Sequence, residues 1–402
     1  MSDFPLKNIK VLDLSRVLAG PWASQTLADL GAEVIKIERP GVGDDTRTWG
    51  PPWFDMPDGD ALSAYFMSAN RGKKSVCVDL ASPEGIAIVK QLADEVDIVI
   101  ENFKVGDMKK RGLDYPSLSN TNPRLIYCSI TGFGQTGPYQ HRPGYDFMIQ
   151  GISGLMSVTG EPDDKSTDGP QKVGVAVADL MTGLYSTIAI LAAITEREAS
   201  GEGQYIDMAL MDVLTTSLAN QASNYLVSGN APGRMGNAHP NVVPYQTFAA
   251  SDGHIIVAVG NDKQFRALCA AIDRPDLGTD AKYLTNADRI ENRAALASEI
   301  QSGIQTCTMS HWLEVLEGAG VPCGPINTID KVFDDPQTKA RDMQISIGGM
   351  PLVANPVRFS RSELNYELEP PSLGQHTDEV LADKLAMSVD ELNKLRSKGV
   401  LG

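Results

Sequence analysis

The first 130 residues are built from two kinds of segment, short apolar runs and helical stretches. "IKVLDLS" is a β-branched apolar run, "GPWASQTLADLGA" a helix closed by Gly31, and "EVIKIERP" a second apolar run. A second round brings "KKSVCVDL", the helix "SPEGIAIVKQLADEV" begun by Ser82-Pro83-Glu84, then "DIVIENF", one more helical segment and "RLIYCSITGFG". Strands joined through helices pair in parallel, and right-handed crossovers leave few ways to arrange them. The pattern predicts an α/β fold built on a mostly parallel, doubly wound sheet. Such sheets bind ligands outside the carboxyl ends of their strands, where "SRVLAG", "IERPG", "ENF" and "ITGFG" stand.

With 402 residues, 42% of them hydrophobic, the chain is long enough for two or more domains. "GQYIDMAL" and a helical stretch to about residue 228 lead into "SGNAPGRMGNAHPNVVPY", a Gly- and Pro-rich connection. "YQTFAASDGHIIVAVG" reads as a hairpin turning at Asp252-Gly253, and helices over 262–320 complete a smaller α+β unit. "GVPCGPINTI" closes it, and a terminal helix runs from Ser388 to about Lys398. The residues thus suggest a large unit over 1–224 and a small α+β domain over 225–330, followed by short strand-like pieces and the terminal helix.

Composition excludes several classes. Fifty-one acidic against 35 basic residues give a net charge of −16, which argues against nucleic acid as a partner. An anionic ligand must find local positive charge, at Arg71, Lys73 and Lys74 or at Lys104, Lys109, Lys110 and Arg111. Five scattered cysteines form neither a disulfide framework nor a zinc motif, and five histidines lack metal-ligand spacing, so no metal is expected and a reducing cytoplasm fits. "MSDFPLKNIK" has no apolar core of signal-peptide length, so no export is expected. The weakly polar run after Asp179 is broken by Thr182, Gly183, Ser186 and Thr187, and a core helix is expected rather than a membrane span. "GFGQTG" spells a dinucleotide fingerprint, but Pro138 and Pro143 deny it the helix it needs. No P-loop, serine-hydrolase elbow or H-E-x-x-H motif occurs.

One carboxylate stands out. "VGVAVADLMTGLYSTIAILAAITER" sets Asp179 between a β-branched run and an almost uncharged helical stretch. Asp is a favoured N-cap, and a carboxylate at a strand-to-helix junction is stabilised by the helix N-terminus and can also act as a nucleophile. Both readings stay open on the residues alone.

"VLDLSRVLAGPWASQTLADLGAEVIKIERPGVGDDTRTWGPP", "NRGKKSVCVDL", "VIENF", "ITGFGQTGPYQHRPGYD", "AVADLMTGLYS", "GVPCGPIN" and "LGQHT" occur in one order across nearly the whole chain, and together they resemble the family III coenzyme A transferases. That family includes formyl-CoA:oxalate, carnitine and succinyl-CoA:dicarboxylate transferases, and 2-methylacyl-CoA racemases on the same scaffold. The resemblance implies a Rossmann-like large domain drawn from both ends of the chain, with 331–402 returning to it, a small middle domain and a homodimer of interlocked rings. It makes Asp179 the nucleophile, with acyl-CoA and a carboxylic acid as substrates, no tightly bound cofactor and no membrane. CoA contacts would come from Leu18, Ala19, Arg39, Asn70, Arg71, Gly72, Lys73, Asn102, Phe103, Lys110, Arg142 and Tyr145. The family's lysine falls on Pro143, so its role would pass to Arg142.

The glycine-rich loop of oxalate-using members maps to "VAVGNDKQF", which keeps Gly260 alone and disfavours oxalate. "GDDTRTWGPPW", "NVVPYQTF" and "GNDKQF" look most like the succinyl-CoA:glutarate and itaconate branch, with Arg16, Arg47 and His239 as candidates for the acceptor's distal carboxylate. A racemase needs two acid–base groups, and the histidine that family racemases carry falls here on Tyr145. The same scaffold could also belong to an acyl-CoA hydrolase or to a catalytically silent CoA-binding protein, and retention of Asp179 argues against the latter.

Overall fold

The computed structural model describes residues 4–56, 59 and 61–402. The start of the expected large domain, residues 1–3, lies outside the described residues, as does that part of "MSDFPLKNIK".

The six expected strands of the two rounds and of "GQYIDMAL" form one sheet: β1 (Lys10–Asp13), β2 (Glu33–Glu38), β3 (Lys73–Cys77), β4 (Ile98–Glu101), β5 (Ile126–Thr131) and β6 (Tyr205–Ala209). Every pairing is parallel and the spatial order is β3-β2-β1-β4-β5-β6, the doubly wound order. Consecutive side chains serve opposite faces. Val11, Val34, Ile98 and Ile126 pack with α1 (Ala19–Asp29), while Leu12, Ile35, Val76 and Val99 pack with α2 (Pro83–Asp94). The start of α2 follows its sequence signals: Pro83 takes the first turn and Ser82 Oγ accepts from the Gly85 amide at 2.9 Å.

The chain divides into two compact units, one comprising residues up to Leu155, Val173–Ser228 and Gln337–Gly402, the other Met156–Lys172 and Gly229–Pro336. This differs from the expected division. Residues 156–172 belong with the small unit because their backbone bonds there: the Gly236 amide donates to Gly160 O at 3.0 Å and Arg234 Nε to Glu161 O at 3.0 Å. The small unit pairs β7 (Tyr245–Ala250), β8 (Gly253–Ala258) and β9 (Cys323–Pro325) antiparallel, with Ser251 and Asp252 forming the turn. Phe248, Val257, Phe265, Leu268 and Trp312 fill its core.

Beneath the carboxyl ends of β1, β2 and β3 lies a buried ionic lattice. Lys73 Nζ reaches Asp13 at 3.2 Å, Asn70 Oδ1 at 2.9 Å and Pro21 O at 3.0 Å. Lys36 Nζ reaches Asp44 at 2.9 Å and Ser15 O at 2.9 Å, and Arg47 forks onto Glu38 at 2.7 and 2.8 Å. Arg71 forks onto Asp29 of α1 at 2.6 and 2.7 Å. Burial pushes the Asp13 carboxyl up, but Lys73 and Lys36 outweigh it and hold it below its ordinary value. Arg71→Ala strands the Asp29 charge inside the protein and should cost about 3–5 kcal/mol in urea unfolding; unchanged stability would contradict a structural role for the pair.

Candidate active site

A cleft opens where the strand order reverses, between β1 and β4. Its walls are the loop after β1 (Arg16 to Ala19), the loop after β4 (Asn102 to Val105), the end of β5, the segment Gln140 to Tyr145, Leu210, and Asp179. A doubly wound sheet splays its loops apart at this switch point, which makes the crevice a consequence of strand order.

Asp179 is the third residue of α4 (Val177–Ser200) and not its N-cap. Ala176 occupies that position without a side-chain cap, and the residues before it are loop rather than the expected strand. Asp146, first residue of α3 (Asp146–Ile152), caps in its place: its carboxylate accepts from the Ala178 amide at 2.7 Å and from Gln150 Nε2 at 2.7 Å. Gln150 Oε1 accepts from the Val173 amide at 2.9 Å, fixing the incoming chain. Asp179 is thereby relieved of capping, and among the described residues its carboxylate makes no hydrogen bond or ion pair. Burial, with the negative charge of Asp146 adding to it, pushes this carboxyl up to about 7.

Two close approaches assemble the cleft. A Cβ on Gly183, one turn beyond Asp179, would stand 2.8 Å from Ala19 O and 3.0 Å from Trp22 Cβ. A side chain there would hold α1 away from α4, so the glycine brings the Leu18–Ala19 turn to the face that carries Asp179. Likewise a Cβ on Gly132 would stand 2.4 Å from Gly144 Cα, so the loop after β5 doubles back and returns Arg142 and Tyr145 to the cleft. The Arg142 guanidinium lies 4.5 Å from the Tyr139 ring centroid. That loop opens no helix, as its prolines require.

Leu18, Ala19, Asn102, Phe103, Arg142, Tyr145 and Arg16 thus meet around Asp179. Other expected contacts stand elsewhere. Asn70, Arg71 and Lys73 are buried in the ionic lattice, with Gly72 between them at φ +75°, because their polar groups complete the strand ends. Arg39 is exposed outside the cleft lining, and Lys110 is exposed beside Asp107 at 3.1 Å. Arg47 spends its fork on Glu38 and lies 3.8 Å over the Phe66 ring, which leaves no free fork for a substrate carboxylate. His239 and Gly260 belong to the small unit, where His239 Nδ1 accepts from the Asn241 amide at 3.0 Å and the Gly260 amide donates to Gln264 at 2.8 Å. Sequence reasoning assigned no role to Asp146, Gly183, Gln140 or His141, although Gln140, His141 and Asp146 stand inside the quoted "GPYQHRPGYD" stretch and Gly183 inside "AVADLMTGLYS".

α4 is long and apolar enough to span a membrane by composition. Its Thr182, Gly183, Ser186, Ile190 and Ala193 are buried and Arg197 pairs with Asp97 at 3.0 Å, as in a core helix.

A crevice at the switch point of an α/β sheet, lined in part by a carboxylate without a hydrogen-bond partner, is a ligand site with a potential nucleophile in it. The chain matches the model of CoA-transferase family III over residues 6–377 and belongs to that family; it is a CoA-transferase. It is 50% identical over 385 residues to the succinate–glutarate CoA-transferase of Agrobacterium fabrum, covering 94% of this chain and 95% of that protein. It is 42% identical over 402 residues to the human succinyl-CoA:glutarate CoA-transferase, covering 99% and 90%. The crystal structure of a CAIB/BAIF family protein from Brucella suis superposes with a TM-score of 0.86 at 52% identity, covering 95% of this chain and all, 100%, of that one.

The raised Asp179 value carries a sign. Its folded value of about 7 lies above its ordinary 3.8, so the folded state holds its proton longer and loses stability as pH rises from about 4 to 7. Asp179→Asn should therefore be more stable than the wild-type chain above pH 7, by roughly 1–3 kcal/mol, with the gap closing near pH 4. Thermal melts across that range check this; a gap independent of pH would contradict it.

Proposed function

We propose that the protein transfers CoA from succinyl-CoA to glutarate or a similar dicarboxylic acid through covalent intermediates on Asp179. The observation that carries this reading is the unpaired Asp179 carboxylate in the cleft, together with relatives named for that reaction. An Asp179 oxygen attacks the thioester carbonyl, the C–S bond breaks, and CoA thiolate leaves behind a mixed anhydride. The thiolate then attacks the Asp179 carbonyl of the anhydride, releasing succinate and forming an aspartyl-CoA thioester. The acceptor carboxylate attacks that thioester, and the thiolate it expels attacks the acceptor's acyl carbon, giving the new thioester and free Asp179.

No step needs an external proton, only an ionised Asp179, so turnover should rise with pH and level off above about 7. An unpaired carboxylate whose proton is held more tightly than usual is a better nucleophile than one neutralised by a cation. A racemase has less support: Tyr145 is 68% exposed, and Asp146 is committed to Ala178 and Gln150. Of the expected distal-carboxylate residues, Arg16 is the one that lines the cleft; its pair with Asp45 at 3.1 Å is half-exposed and readily exchanged for a substrate carboxylate. Exposed Leu184, Tyr185 and Ile188 on α4 and Tyr225, Leu226 and Val227 suit the surface of a homodimer, and unpaired cysteines suit a reducing cytoplasm.

Mass spectrometry of CoA thioesters after mixing the protein with succinyl-CoA and glutarate, itaconate, oxalate or carnitine should show acceptor-dependent products with the dicarboxylates and none with Asp179→Asn. Thioester loss without any acceptor would mark a hydrolase, and CoA binding without turnover a silent binding protein. Arg16→Met should raise KM for glutarate about tenfold with a smaller change in kcat; an unchanged KM would remove Arg16 from acceptor recognition.

A further inference from the structure

Val17 is the one β-branched residue with a left-handed backbone among the described residues, at φ +71°. That conformation is strained for valine and persists only where the surroundings impose it. Two clamps do so. Asn102 grips the Arg16 backbone from both sides, its Oδ1 accepting from the Arg16 amide at 2.9 Å and its Nδ2 donating to Arg16 O at 2.7 Å. Asp44 takes the Val17 amide, shared between its two carboxylate oxygens at 3.2 Å each.

Asp44 is a rigid post. Its side chain and that of Lys36 are fully buried, and it accepts from Lys36 Nζ at 2.9 Å, the Thr46 amide at 3.0 Å and Thr46 Oγ1 at 2.8 Å. Its own amide donates to Glu38 Oε2 at 2.9 Å, and Glu38 is held by Arg47 and by Ser75 of β3. Burial pushes the Asp44 carboxyl up, but Lys36 and the Thr46 bonds outweigh it and hold it at about 2, so it stays ionised across the working range. The residues that flank Val17, namely Arg16, Leu18 and Ala19, all line the cleft with Asp179.

We propose that Asp44 is a positioning residue for CoA transfer: by holding the Val17 amide it imposes the left-handed turn that sets Arg16 and the Leu18–Ala19 segment around the Asp179 cleft. The role rests on the functional reading above. It also explains why Asp44, which does not itself line the cleft, is built into the buried lattice within reach of the loop after β1.

Steady-state kinetics on the full chain test it. Asp44→Asn should lower kcat by about 10- to 100-fold, the loss expected when reacting groups are misplaced by about an ångström. Glycine takes a positive φ without steric cost, so adding Val17→Gly to Asp44→Asn should restore most of that kcat. A merely structural role would show as a lower melting temperature with no such rescue. Wild-type kcat in Asp44→Asn, or a loss that Val17→Gly does not restore, overturns the proposal. Should Asp44→Asn fail to fold because Lys36 is left with less compensation, Asp44→Asn/Lys36→Met is read in the same way; failure of both to fold makes Asp44 structural and overturns it too. A wild-type chain that transfers no CoA overturns the functional reading and not this one, which is then read from calorimetric affinity for CoA.

Discussion

The Lys36–Asp44 pair, and the ionic lattice to which it belongs, is the interaction on which the site depends. Parallel strands end in loops whose backbone groups must be satisfied, and here charged side chains bond several of them. Asp13, Lys36, Glu38, Lys73 and Asp44 are buried and bonded to one another or to loop carbonyls and amides. Buried pairs of this kind are weak contributors to net stability but costly to break singly, because one missing partner leaves an uncompensated charge. The consequence is geometric: the loops above β1 and β2 are held by these bonds, strained Val17 included.

Asp179 is the electrostatic opposite. Burial and the charge of Asp146 both raise its pKa, and among the described residues no hydrogen bond or ion pair to its carboxylate offsets them. The capping work at the start of α4 passes to Asp146, and the small Gly183 lets α1 approach from the other side. A carboxylate kept unsatisfied costs the fold stability, the trade expected of the nucleophile proposed above.

Much of the large unit was legible in the sequence. The helix caps at Ser82 and Ser388, the alternation of apolar runs and the loops at strand ends are local signals, and each depends on a few neighbouring residues. Asp179 stood out for the same reason, as a lone charge beside an apolar helix. Basic residues misled. Arg71, Lys73 and Arg47 read as surface cations available to an anion, yet partners at positions 29, 13 and 38 take them into the interior. Such pairing is set by strand order, which no local pattern encodes. The grouping of residues 156–172 with the small unit, and the role of Asp146 as a cap for a helix thirty residues further on, are hidden for the same reason.

The mechanism stands on Asp179 becoming covalently joined to the transferred groups. The direct measurement is intact-protein and peptide mass spectrometry after rapid mixing with succinyl-CoA in the absence of any acceptor. The predicted result is a CoA thioester adduct on the peptide that carries Asp179, lost when an acceptor acid is added and absent from Asp179→Asn. Turnover without any adduct on that peptide, or an adduct that survives in Asp179→Asn, would contradict it.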